Sequence, residues 1–214
     1  MASEKESLDL YLQPGEIIRS DDPKIKSLAA SIVEGQTDDA GRAKALFYWV
    51  RDQIRYNMLV PSDRPEYFRP ATTLDRGEGY CVQKSALMVG LLRVVNIPAR
   101  MVFADFINHR LPEEALEVLG TNKFVYHGYV ELYVENHWIR CTPVFEKELC
   151  ERLEAKTVEF DGKNTSVLHR TDKKGRLHFE YTKEHGVRAD VPFDEMMAVW
   201  NEVYPMDKMP WDIK

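Results

Sequence analysis

The stretch GYCVQKSALMVGLLRVVNIPAR, residues 79–100, decides the fold. Its middle part, residues 81–95, places apolar side chains on nearly every side of a helix, and Lys84 and Arg93 are its only charges. A helix that is apolar all round lies buried at the centre of a protein. We therefore expect a central helix that begins at Cys81 and ends at the Asn-Ile-Pro segment that follows it.

Two helices and a long irregular segment precede this central helix. Asp22, directly before a proline, predicts a helix N-terminus, and Gly35 predicts the end of that helix. A second helix begins at residues 37–39, and the helical part of the chain extends to about residue 56. Residues 57–80 hold three prolines and two glycines without a sustained period, so we expect a long loop. This loop either wraps over the core or forms a wall of a substrate groove.

Strands and a final helix follow the central helix. Strand-like runs cover residues 99–107, 125–134 and 138–141, and a tight hairpin turn is centred on Asn136. A polar, turn-rich stretch at 155–190 then leads to an amphipathic helix near the C-terminus. Helices followed by antiparallel strands predict an α+β fold, and we expect a single domain over the whole sequence.

Composition excludes several classes of function. The 214 residues are 44% hydrophobic and 30% charged, which is typical of a soluble globular chain. The formal charge of −6 argues against nucleic acid as a partner, and the longest apolar run, residues 86–92, is too short to cross a membrane. The acidic residues 1–10 contain no apolar signal segment.

The cysteines indicate a reducing environment. Cys81, Cys141 and Cys150 are odd in number and form no Cys-x-x-Cys pair, so we expect neither a disulfide framework nor a common zinc site. We therefore expect a cytoplasmic protein that needs no cofactor or metal.

Cys81 stands where a glycine-flanked loop turns into the central helix. The free backbone N–H groups and the dipole at a helix N-terminus favour an anion. They predict a lowered thiol pKa and a stronger nucleophile, and the same N–H groups could hold an oxyanion. The alternative is an inert, buried cysteine.

A histidine lies on the second strand-like run, VYHGYVELYV at 125–134. Alternation places Val130 and Leu132 on one face of the strand, and His127 and Tyr129 on the other. His127 therefore points away from the aliphatic core, towards a side where a polar site could form. A purely structural histidine is the alternative.

Over about residues 42–145 the sequence resembles the transglutaminase-like superfamily. The resemblance rests on FYWVRDQIRY at 47–56, the stretch at 79–100, and YHGYVELYVENHWIRCTP at 126–143. In that family a Gly-x-Cys opens a helix, Ile-Pro-Ala-Arg follows, and a strand histidine pairs through a hairpin with a short strand that ends in Asp-Pro. The resemblance implies a papain-like fold whose catalytic core spans residues 81–145, followed by a C-terminal extension at 146–214. It also implies that Cys81 is the nucleophile and His127 the base, steadied by an acid.

The sequence departs from the family at that acid, because the aspartate position holds Thr142. A hairpin loop at residues 135–136 pairs Tyr129 with Thr142 and makes Thr142 a diagonal neighbour of His127. A hydroxyl there could orient the imidazole, but it supplies no negative charge. Asp161 is the remote alternative for the third catalytic member.

Tyr56, Tyr80 and Gln83 lie near Cys81 in the sequence and are candidates for an oxyanion donor or for a substrate-groove wall. We expect a thiol-dependent acyl-transfer enzyme that acts on a peptide, protein or other amide substrate. Hydrolysis is favoured over amine transfer, because water is always present and no amine pocket is evident. The alternative is a weak or inactive transglutaminase-fold binding module, since the family aspartate is absent.

Overall fold

The structure, a computed structural model, describes residues 8–206. Residues 1–7 and 207–214 lie outside the described residues. The first of these ranges includes most of residues 1–10, for which the sequence analysis predicted no secretory signal. The α-helices that lie wholly within the described range are α1 (Pro23–Ile32), α2 (Asp39–Gln53), α3 (Pro70–Arg76), α4 (Cys81–Val94), α5 (Glu113–Leu119), α6 (Lys147–Arg152) and α7 (Phe193–Val203). The strands are β1 (Arg55–Tyr56), β2 (Glu78–Gly79), β3 (Ala99–Asn108), β4 (Lys123–Val134), β5 (His137–Cys141) and β6 (Phe179–Arg188).

The four longer strands form one antiparallel sheet in the order β5-β4-β3-β6, and β1 and β2 form a separate parallel pair. Helix α4 packs against this sheet on one side and against α1, α2 and α3 on the other. Its residues from Cys81 to Arg93 are all buried, as the apolar pattern predicted. The helix-then-sheet architecture confirms the predicted α+β fold.

Helix N-termini form where the sequence supplies a capping oxygen. The Asp22 carboxylate accepts the Lys24 backbone N–H at 2.8 Å, and Asp38 accepts the Gly41 backbone N–H at 2.7 Å. These bonds satisfy donors that a helix leaves unpaired at its start. The first two predicted helices therefore begin where their caps indicated.

The β4–β5 hairpin has the predicted loop at Glu135 and Asn136. Both residues have positive φ angles, 50° and 67°, as a two-residue type I′ turn requires. The turn sets the register that pairs Val130 with Cys141, and continuing that register places Thr142 opposite Tyr129.

Two stretches hold more regular structure than the sequence analysis predicted. The expected loop at 57–80 contains a 3₁₀ turn at Pro65–Phe68, helix α3 and strand β2. The helical pieces are too short to show a period, and each begins with a proline. The turn-rich stretch at 155–190 contains β6, an edge strand that is largely exposed along its first half and therefore lacks the alternation of a half-buried strand. Within residues 8–206, no helix is both long enough and apolar enough to cross a bilayer.

Candidate active site

Cys81 is the first residue of α4 and lies at the bottom of a pocket, with 8% of its surface exposed. Burial raises the pKa of its thiol to about 11, although backbone groups of Gly128, Val82 and Cys81 itself favour the thiolate. The predicted lowering of the thiol pKa is therefore wrong. The backbone groups at the helix N-terminus do favour the thiolate, but the loss of solvation around the sulfur outweighs their effect on the pKa.

A close approach of β4 to α4 brings the Gly128 backbone to the thiol. A Cβ at Gly128 would lie only 3.1 Å from Val82 Cα, so this close contact favours glycine. The Ser85 hydroxyl, one turn along α4, donates to the Gly128 carbonyl oxygen at 3.0 Å. Strand and helix are thereby joined beside the thiol.

His127 directly precedes Gly128 on β4, and its side chain is buried, with 2% of the residue exposed. Its ring packs edge-on against Phe106, with 4.9 Å between ring centroids, and stacks on Tyr129 at 6.0 Å. Burial lowers the pKa of the imidazole to about 3. His127 lines the same pocket as Cys81, although no hydrogen bond between described residues joins the two side chains.

Thr142 comes directly after β5 and is 1% exposed. Its backbone N–H donates to the Ser166 carbonyl oxygen at 3.1 Å, whereas its Oγ1 has no hydrogen-bond partner within residues 8–206. His127 Nε2 is likewise buried without a partner in that range. Tyr181 lies beside this region, and its ring centroid is 6.2 Å from that of His127.

Asp161 lies away from the pocket, in an exposed turn. Its Oδ1 accepts the backbone N–H groups of Lys163 and Asn164, both at 2.8 Å, and Oδ2 accepts the Asn164 side-chain amide at 2.7 Å. These bonds lower the pKa of the carboxyl to about 2. The structure therefore does not bring Asp161 to the imidazole, because the carboxylate stabilises its own turn.

The pocket encloses about 530 Å³ of empty space, part of it open to solvent. Its lining is mostly aromatic and aliphatic, and within residues 8–206 it contains no acidic or basic side chain apart from the imidazole. The lining residues are Tyr56, Met58, Ser62, Tyr80, Cys81, Leu119, Phe124, Val125, His127, Trp200, Tyr204 and Met206. The long segment before α4 thus contributes Met58, Ser62 and Tyr80 to the wall of this pocket.

Gln83 does not belong to this lining, contrary to its candidacy as an oxyanion donor. It is fully buried, its Oε1 accepts the Tyr80 backbone N–H, and its Nε2 donates to the Pro61 and Tyr67 carbonyl oxygens at 3.2 and 3.0 Å. Its amide is therefore used to hold the preceding loop against the start of α4.

Tyr56 and Tyr80 do line the pocket. The Tyr80 hydroxyl donates to Ser62 Oγ at 3.0 Å. The Tyr56 ring packs on Phe145 with 4.7 Å between centroids, and its hydroxyl has no hydrogen-bond partner among the described residues. Of the three candidates, Tyr56 is the one whose side chain makes no hydrogen bond to residues 8–206.

Trp200 and Tyr204 complete the pocket from the C-terminal part of the chain, and sequence reasoning did not assign them to the site. Trp200 Nε1 donates to the Val125 carbonyl oxygen at 3.0 Å, and the Val125 backbone N–H donates to the Tyr204 hydroxyl at 2.8 Å. The amphipathic pattern of α7 predicted a buried face, but not that this face packs beside β4.

Three comparisons relate this chain to known proteins. The sequence profile described as the transglutaminase-like superfamily matches residues 26–143. A search of curated proteins finds no match. A crystal structure from Cytophaga hutchinsonii, named a "putative cysteine protease", is similar with a TM-score of 0.50 and 16% identity over 85% of this chain. This chain spans 55% of that protein's length. The periplasmic domain of TgpA from Pseudomonas aeruginosa has a TM-score of 0.44 and 20% identity, with 62% of this chain and 45% of the other covered.

Proposed function

This chain belongs to the transglutaminase-like superfamily, and we propose that it is a thiol-dependent acyl-transfer enzyme in which Cys81 is the nucleophile and His127 the base. One observation carries the proposal. A thiol at the N-terminus of a buried helix and an imidazole on the adjacent strand line the same pocket, although they lie 46 positions apart in the sequence. Backbone groups that favour a thiolate surround the sulfur, which supports a nucleophilic role.

The resting pair is neutral, so the proton moves during the attack. The Cys81 sulfur forms a bond to the amide carbon while its proton passes to His127. The oxyanion that develops is stabilised by backbone N–H groups at the start of α4 and by the Tyr56 hydroxyl. The carbon–nitrogen bond then breaks, and the leaving amine takes the proton from His127. A thioester of Cys81 remains.

Water is the favoured acceptor for this thioester. His127 takes a proton from the water as its oxygen bonds to the carbonyl carbon, the carbon–sulfur bond breaks, and the thiol recovers its proton. An amine acceptor would have to bind in place of water, and among the described residues no carboxylate lines the pocket to attract an amine. We therefore propose hydrolysis of a peptide, protein or other amide substrate.

The three cysteines are all free, in keeping with our proposal of a cytoplasmic location.

A second candidate is a binding module that keeps the fold with little or no chemistry. Thr142 stands at the family aspartate position, and neither its hydroxyl nor His127 Nε2 has a hydrogen-bond partner in the part of the chain that the structure describes. An imidazole without an acidic neighbour is a weaker base, and the raised thiol pKa lowers the thiolate population.

An active ester distinguishes these two candidates. p-Nitrophenyl acetate should release a burst of p-nitrophenol and leave one acetyl group on Cys81, located by peptide mass spectrometry. Cys81→Ala should abolish the burst, His127→Ala should slow it by about 10²–10⁴-fold, and Cys141→Ala should leave it unchanged. Acetylation spread over several residues, or a burst that is insensitive to His127→Ala, would favour the binding module.

A further inference from the structure

We propose that Asp105 is a positioning residue for His127 and acts through the backbone of Tyr126. This inference rests on the proposed role of His127 as the base. Asp105 is remote from His127 in sequence, and no family motif quoted above includes it. The argument starts from the conformation of the residue that precedes the histidine.

Tyr126 has a φ angle of 52°, in the left-handed region. Bulky side chains rarely occupy this region, and they keep it only where the surrounding structure holds them there. The β3–β4 register shifts at the same point, between Ala104 and Phe106. The regular course of β4 is therefore broken immediately before His127, and the angles at Tyr126 set the direction in which the His127 peptide enters the site.

The Asp105 carboxylate holds this conformation. The Tyr126 backbone N–H has no ladder partner at the shift and donates instead to Asp105 Oδ1 at 3.1 Å. Asp105 is 4% exposed, so this hydrogen bond is shielded from water. Because the bond restrains the peptide nitrogen of a strained residue, it selects one backbone conformation out of those that Tyr126 could adopt.

Asp105 is itself fixed by His185, a residue of β6. His185 Nε2 donates to Asp105 Oδ1 at 2.6 Å, and the His185 ring stacks on Tyr126 with 4.1 Å between centroids. Lys123 Nζ lies 3.5 Å from Oδ2. The Tyr126 hydroxyl donates to Glu195 on α7 at 2.7 Å. Tyr126 is thus restrained at its nitrogen, its ring face and its hydroxyl.

The test compares Asp105→Ala with Asp105→Asn, which keeps an oxygen that can accept the Tyr126 N–H. Asp172→Ala is the matched control, because Asp172 is also buried and accepts backbone N–H groups, those of Lys174 and Arg176, at a distant turn. Single-turnover acetylation of Cys81 by p-nitrophenyl acetate should slow by about 10²-fold in Asp105→Ala, with an unchanged half-saturating ester concentration. Asp105→Asn and Asp172→Ala should retain the wild-type rate.

A measurement that needs no activity separates this proposal from the proposed function. The ring carbon–proton NMR signals of His127, assigned with His127→Phe, should shift in Asp105→Ala but not in Asp105→Asn or Asp172→Ala. Unmoved signals in Asp105→Ala would overturn the positioning role whether or not Cys81 is acylated. If Asp105→Ala does not fold, His185→Phe keeps the ring over Tyr126 and removes the donor to Asp105. It should still shift the His127 signals, and its failure to do so would overturn the proposal.

Discussion

At the scale of single residues, burial keeps both proposed catalytic groups, Cys81 and His127, neutral. A charged thiolate and a charged imidazolium both lose solvation in the pocket, so the Cys81 pKa rises to about 11 and the His127 pKa falls to about 3. Among residues 8–206, no acidic side chain lines the pocket beside His127, and Thr142 stands at the family aspartate position. Under the proposed mechanism, charge separation therefore develops together with bond formation to the substrate.

We predict that His127 destabilises the protein in acid. An unfolded histidine binds a proton near pH 6.5, whereas folded His127 does so only near pH 3. The unfolded chain binds more protons between these values, so the free energy of unfolding falls as the pH drops through that window. The full contribution is about 5 kcal/mol, and about 3 kcal/mol of it should be lost by pH 4.

Urea unfolding at pH 7 and pH 4 measures this effect. His127→Phe fills the aromatic site without an ionisable group and should lose correspondingly less stability between the two pH values. His137→Phe, at an exposed position, should behave as wild type. Equal losses in wild type and His127→Phe would contradict the buried neutral imidazole.

At the scale of elements, the β4–β5 hairpin decides which side chain faces the imidazole. Its register places Thr142 opposite Tyr129, on the face that carries His127. We predict that Thr142→Asp raises the His127 pKa by about 1–3 units, because an ionised carboxylate favours the imidazolium. Acetylation of Cys81 should become faster as the base strengthens. Histidine NMR titration gives the pKa, and Thr142→Asn controls for side-chain shape. A His127 pKa that is the same in both variants would show that the carboxylate does not act on the ring.

The contact between β4 and α4 is the second element-scale feature. A methyl group at Gly128 would meet Val82 Cα and Met101 Cε, each at 3.1 Å. We predict that Gly128→Ala lowers the free energy of unfolding by about 1–3 kcal/mol and slows acetylation of Cys81, because the strand must move away from the thiol. Gly35→Ala has open space around it and a φ of 80°, so it should cost stability without changing the rate. A Gly128→Ala variant with the wild-type rate would contradict this role.

At the scale of the whole molecule, the pocket joins distant parts of the chain. The matched family segment ends at residue 143, yet Trp200 covers the pocket and packs on Tyr80 with 5.9 Å between ring centroids. We predict that Trp200→Ala costs about 3–5 kcal/mol of stability and widens the pocket. The measurement is the ratio of two Cys81 modification rates, that with a bulky maleimide divided by that with iodoacetamide. This ratio should be higher in Trp200→Ala than in wild type. Trp138→Ala, remote from the pocket, should leave this ratio unchanged. An unchanged ratio in Trp200→Ala would show that α7 does not limit access.

Features that depend on neighbouring residues were predictable from the sequence. The apolar pattern of residues 81–95 identified the buried helix, the caps at Asp22 and Asp38 located helix starts, and the turn at Asn136 set the hairpin register. Each of these signals depends on residues close together in the sequence, where side-chain spacing and backbone angles determine the local structure. The resemblance of short motifs to the transglutaminase-like superfamily then indicated Cys81 and His127 as candidate catalytic residues.

By itself, the sequence determined the fold class, the central helix and the residue types available for chemistry. Only the tertiary structure decided that Gln83 and Asp161 are used in local hydrogen bonds, that α7 covers the pocket, and that Asp105 holds the backbone before His127. It also reversed the expected pKa of Cys81. The physical reason is that solvation and long-range hydrogen bonds depend on which distant segments exclude water from a group. That arrangement exists only after the chain has folded, and no local pattern of residues records it.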